Sequence, residues 1–112
     1  MSGVHITLQR TIKVTSTRTQ TLEFAVDCGA FRFVSARLRV FAVTGSGTAG
    51  IKIRHAAVLA EDEFKDLLTF SPTGVSVDFL SSADFSRYLI WQVSDMASFS
   101  EISFSIELVL KD

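Results

Sequence analysis

Residues Phe33 to Val58 read FVSARLRVFAVTGSGTAGIKIRHAAV. Two alternating runs flank Gly45-Ser46-Gly47-Thr48-Ala49-Gly50, the pattern of a long antiparallel β-hairpin with a glycine-rich tip. Side chains alternate faces along a strand, so Val34, Ala36, Leu38, Val40 and Ala42 share one side, and Ile51, Ile53, His55 and Ala57 share a side of the return strand. A turn centred between Gly47 and Thr48 pairs Ala42 with Ile53, Val40 with His55 and Leu38 with Ala57, which sets the apolar residues on one buried face. The opposite face carries Arg37, Arg39, Phe41 and Val43 beside Lys52, Arg54, Ala56 and Val58, a basic surface with apolar residues among the charges. A one-residue slip brings those charges into the core, so the register is well specified.

The linker also matches G-x-G-x-x-G letter for letter. That fingerprint holds a pyrophosphate only when a helix follows, because the helix N-terminus supplies the free N–H groups. Here Ile51-Lys52-Ile53-Arg54 follows with period-two alternation, and no acidic residue stands about 20 positions on at the end of a second parallel strand. The match is a flexible tip, not a nucleotide site.

Outward from this stretch the chain reads as strands. Val4 to Leu8 alternates, and Ile12 to Thr15 is a short second strand or its continuation past a bulge. Ser16 to Gln20 is polar and predicts a loop, Thr21 to Val26 alternates as a strand, and Asp27-Cys28-Gly29-Ala30 predicts a turn. Ala60 to Leu68, AEDEFKDLL, is the one stretch with a helical pattern, its acidic residues favouring a helix N-terminus and Phe64, Leu67 and Leu68 sharing a face. It predicts a short helical crossing near residues 61–68 that plugs one end of a sandwich. Ser71-Pro72-Thr73-Gly74 is a turn signal, Val75 to Phe79 resumes alternation, and Ser81 to Asp84 predicts a loop. Arg87 to Val93 is apolar on both faces, as a central strand is, and Glu101 to Lys111 points Ile102, Phe104, Ile106, Leu108 and Leu110 one way. Eight or nine strands in 112 residues predict an all-β, two-sheet antiparallel sandwich, a jelly roll of about eight strands forming a single domain over 1–112.

Ten phenylalanines and a 47% apolar content argue for a filled interior, not disorder. No run reaches the roughly 18 apolar residues of a membrane span. The first residues lack a basic region followed by an apolar core, so the expectation is synthesis in the cytoplasm without a signal peptide. Cys28 is the only cysteine, and there is no Asn to glycosylate. The net charge of −1 hides an asymmetry, because residues 1–60 carry eight basic and two acidic residues while residues 61–112 carry three basic and ten acidic. Either strands of opposite sign pair within the sandwich, or charged surfaces meet between subunits. The near-zero total argues against general nucleic-acid binding.

Ser86-Arg87-Tyr88-Leu89-Ile90-Trp91, followed by a turn and a last strand ending Glu107-Leu108-Val109-Leu110, resembles the final hairpin of discoidin-like (galactose-binding-like) jelly rolls. The resemblance covers about a quarter of the chain, and the terminal cysteine pair common in those domains is missing. It implies a jelly-roll sandwich whose relatives bind glycans, lipids or proteins through end loops.

Catalytic groups are sparse. His5 and His55 are the only imidazoles, and two His with one distant Cys give no zinc spacing. Glu61-Asp62-Glu63 reads as a solvated acidic turn, and Cys28 beside Gly29 as a packing residue. No catalytic residue, cofactor or metal is expected. Tyr88 and Trp91 are the candidates for a carbohydrate platform, but three residues apart on a strand they point to opposite faces. The reading that follows is a non-catalytic interaction module forming a homo-oligomer, a building block of a shell, appendage or virion-type assembly. Its expected interface is Arg37, Arg39, Phe41, Val43, Lys52, Arg54 and Val58; the alternative is a carbohydrate-binding module using loops at one end of the sandwich.

Overall fold

The computed structural model describes residues 3–29, 31–83 and 85–112. Ala30 and Asp84, the last residues of two predicted turns, lie outside the described residues, as do Met1 and Ser2. The strands are β1 (Val4–Val14), β2 (Arg18–Thr19), β3 (Val26–Asp27), β4 (Phe33–Ser46), β5 (Gly50–Ala56), β6 (Lys65–Phe70), β7 (Ser76–Ala83), β8 (Tyr88–Asp95) and β9 (Ser98–Lys111). They form two antiparallel sheets, ordered β1-β9-β4-β7 and β2-β8-β5-β6, with β3 also pairing β8. Both β2 and β3 lie along β8, so they act as one interrupted strand. Counted that way, eight strands divide between two interleaved sheets, which is a jelly roll.

The Phe33–Val58 stretch is not a hairpin. Its first strand pairs β7 and β9, and its second pairs β6 and β8 in the other sheet. Inward parity alone cannot distinguish two strands that are neighbours from two that face each other across a core, and here they face. Val34, Ala36, Leu38 and Val40 meet Ile51 and Ile53 within one buried cluster. A register shift between Val40 and Ala42 leaves Phe41 as a bulged residue. Parity therefore reverses beyond it: Ala42 opposes Ser103 on the solvent side, and Val43 opposes the buried Ile102. The glycine linker carries the chain between sheets, with Gly45 and Gly47 at φ 109 and 123.

Two other expectations change. Thr21–Val26 contains a 3-10 turn, Leu22–Phe24, because Leu22 and Ala25 cover the outer face of the second sheet against Ile90, Phe64 and Ala56. The helical crossing near residues 61–68 contracts to a 3-10 turn at Glu61–Glu63, since Leu68 and Phe70 alternate into the main core from β6. β1 is continuous past its bulges, and β7 extends through Ser81–Ala83, where a loop was expected. The core centres on Trp91 and Phe104, edge to face with ring centroids 5.3 Å apart. β8 and β9 are inner strands, as their apolar runs predict.

Candidate functional site

The first sheet leaves its outer face uncovered by the chain among the described residues. On that face β4 presents Ser35, Arg37 and Arg39, and β7 sets Ser81, Phe79 and Val77 opposite them. Phe79 is 69% exposed and Val77 47%; Val75, just before the strand, is 69% exposed. The sequence pattern of β7 is thus inverted relative to its place. Its apolar residues face solvent, while Asp78 takes the inward parity opposite Leu38 and remains exposed at the rim. Only Leu80 packs on the core from this strand.

Around this apolar strip lies a basic margin. The Arg39 guanidinium sits 4.6 Å from the centroid of the bulged Phe41 ring. Arg37 stands opposite Glu107 across β9, but the Glu107 carboxylate accepts a hydrogen bond from the Thr7 hydroxyl at 2.9 Å. Among the described residues neither Arg37 nor Arg39 makes an ion pair.

The expected interface set divides. Arg37, Arg39 and Phe41 share this outer face. Val43 does not, because the bulge at Phe41 turns it inward. Lys52 and Arg54 lie on the outer side of the opposite sheet, where Asp66 accepts from Lys52 Nζ at 2.7 Å and from Arg54 Nε at 3.1 Å. The Asp66 carboxyl is held below the usual carboxylate range chiefly by the Lys52 hydrogen bond. Val58 is exposed in the loop after β5. One basic surface thus becomes two, and the β5 half is answered within the chain.

Trp91 is 1% exposed and its Nε1 donates to Gln9 Oε1 at 2.9 Å, so it is a core residue and not a sugar platform. Tyr88 packs beside the small cluster on the opposite side of the sheet. A cleft of about 650 Å³ does open beside β1, lined by Thr7, Gln9, Arg10, Arg18, Thr21 and the exposed Phe24, with Trp91 at its floor. Gln20 at its base is saturated, donating to the Leu8 and Phe24 carbonyls and accepting from the Trp91 N–H.

Of the other candidate groups, His5 is exposed on β1, whereas Cys28 and His55 are engaged in the fold. Burial pushes the Cys28 thiol up to about 12. His55 Nδ1 accepts the Ser86 backbone N–H at 2.9 Å. Among the described residues no group of three His, Cys, Asp or Glu stands close enough to hold a metal ion. No helix among them is long and apolar enough to cross a membrane.

Sequence reasoning missed Val75, Val77 and Phe79 as surface residues. Their alternation marked the strand, but an apolar alternation reads as buried unless the strand's place is known. Compared with known proteins, the sequence matches no family model and no curated protein.

Proposed function

We propose that this protein is a non-catalytic structural module that associates with copies of itself through the outer face of its first sheet. The observation that carries this reading is the inverted strand β7, whose apolar residues Val77 and Phe79 stand in solvent opposite Arg39 and Arg37, with Val75, Phe33 and Phe41 also exposed. Large apolar side chains exposed among polar ones on one sheet face mark a contact surface. Arginine beside aromatic rings is the composition that interface centres favour. Shells, appendages and virion-type assemblies are the class of use that fits a small self-associating jelly roll, by analogy of fold.

Light scattering across a concentration series tests it. The wild-type protein is expected to form a discrete oligomer, and Phe41→Glu to weaken it by about tenfold or more, because a carboxylate beside Arg39 replaces a desolvated ring. A strictly monomeric protein at high concentration rejects the reading.

A second reading, glycan binding, is supported by the cleft beside β1, whose hydroxyl, amide and guanidinium groups surround the exposed ring of Phe24. On a glycan array, Phe24→Ala and Arg18→Ala are then expected to abolish a signal that Tyr88→Ala leaves intact. An array on which the wild-type protein gives no signal rejects this reading.

A further inference from the structure

The two sheets expose four edges, and the chain protects three of them more fully than the fourth. β1 carries two register irregularities between Thr7 and Ile12 together with Arg10 and Lys13. β6 is broken by a bulge against β5 and opens with Lys65 and Asp66. β2 and β3 are two residues each. Bulges, charges and shortness are the devices by which natural edges avoid pairing with other strands. β7 has eight residues, no irregularity against β4, no Pro and no Lys, and its one guarding feature is the charge of Asp78 at inward parity.

Resting on the self-association reading above, we propose that β7 pairs antiparallel with β7 of a second copy about a twofold axis at Leu80, joining the two four-stranded sheets into one. Opposed residues in an antiparallel pair share a face, so the registers that keep both sheets' faces aligned set Asp78 opposite Asp78, Leu80 or Ser82 of the second copy. The first opposes two carboxylates directly, which is destabilising. The second sets a carboxylate against Leu80, which packs on the core. The third sets Asp78 against a hydroxyl, Leu80 against Leu80, and pairs Val77 to Ala83 over its full length.

That register also orders the outer face. Val77 opposes Ala83 and Phe79 opposes Ser81, and the two Phe79 rings become diagonal neighbours at about 7–8 Å, within reach of aromatic contact. Because Arg37 flanks Phe79 and Ser35 flanks Ser81 on β4, the rows through Phe79 read Arg37, Phe79, Ser81, Ser35, and those through Val77 read Arg39, Val77, Ala83, Phe33. No like charges oppose one another along them. The unpaired N–H and C=O row is satisfied by this contact, and the two apolar strips join side by side into one wider face.

The test is register-specific cross-linking. Val77→Cys combined with Ala83→Cys, in a Cys28→Ala background, places thiols opposite each other across the joint, at a strand-pair spacing that a disulfide spans. Oxidation is expected to convert this variant to a covalent dimer, whereas Val77→Cys with Ser81→Cys, one register away, stays uncross-linked. Phe79→Lys is expected to weaken the oligomer at least about tenfold with its circular dichroism unchanged, since the side chain is exposed within one subunit. A strictly monomeric wild-type protein overturns both the self-association reading and this one. An oligomer that Phe41→Glu dissociates but Phe79→Lys does not, with no 77–83 cross-link, overturns edge pairing alone. Cross-linking of the 77–81 pair in place of 77–83 overturns the register.

Discussion

His55 lies on β5 between Lys65 of β6 and Leu89 of β8, and its neutral ring has a structural use. Partial burial, and secondarily the charge of Lys65, hold its pKa below the ordinary 6.5. Only the unprotonated Nδ1 can accept the Ser86 N–H, so protonation removes that bond. The unfolded chain takes up a proton at the ordinary value while the folded chain resists it. Below about 6.5 the unfolded state therefore binds more protons, and stability present above that pH is lost as the pH falls toward the folded value. Urea denaturation at a series of pH values is expected to show this loss as the pH falls below about 6.5, and His55→Gln, which keeps an acceptor but no titrating group, to flatten it. An equal slope in the variant would assign the pH dependence to other groups. Exposed pairs behave differently: Arg87 lowers the Asp27 carboxyl to about 2, so their bidentate contact persists through this whole range.

Elements differ in how far their residues declare them. β9 and the start of β4 are legible because each strand has one face wholly in the core, and Ile102 to Leu110 or Val34 to Val40 alternate without interruption. β8 is legible for a different reason, apolar residues on both faces of an inner strand. What alternation does not encode is the neighbour. The partner of β4 is fixed at its far end, where Gly45 adopts φ 109 against the Ser98 carbonyl of β9 and leaves no room for a side chain. Glycines at a hairpin tip and glycines at a sheet crossing have the same composition, so composition alone does not tell one from the other. The bulge at Phe41 is equally silent in the pattern, since a single added residue only becomes visible when its partner strand is known. Thr21–Val26 alternates in sequence, but Leu22 and Ala25, of opposite parity, both pack on the outer cluster while Phe24 stands exposed, so the alternation does not report a strand. Of the candidate site, Arg37, Arg39 and Phe41 were legible as an outward set. The apolar face of β7 was not, because its pattern argues for burial that the chain itself does not provide.

At the scale of the molecule, the charge asymmetry and the topology are one property. β1 to β5 precede Leu59 and β6 to β9 follow it. Every strand pairing joins a member of the first group to a member of the second: β1 with β9, β2 and β3 with β8, β4 with β7 and β9, β5 with β6 and β8. The ion pairs obey the same rule, as Lys13–Glu101, Lys52–Asp66, Arg54–Asp66 and Arg87–Asp27 each bridge the two parts. A part taken alone has no strand to pair with, and its own charges are largely of one sign. Cutting the chain at the exposed Leu59 is therefore expected to give two fragments, 1–59 and 60–112, each unfolded by circular dichroism. Mixed in equal amounts they are expected to regain the β spectrum and bury Trp91, which reports through its fluorescence from the second fragment. Attraction between a basic and an acidic chain accelerates encounter, so the association rate is expected to fall as salt rises from about 0.05 to 0.5 M, while burial of the shared core keeps the complex folded. Either fragment folding alone would show that pairing between the parts is not what organises the sheets. An association rate indifferent to salt would show that the opposite charges are incidental to the pairing.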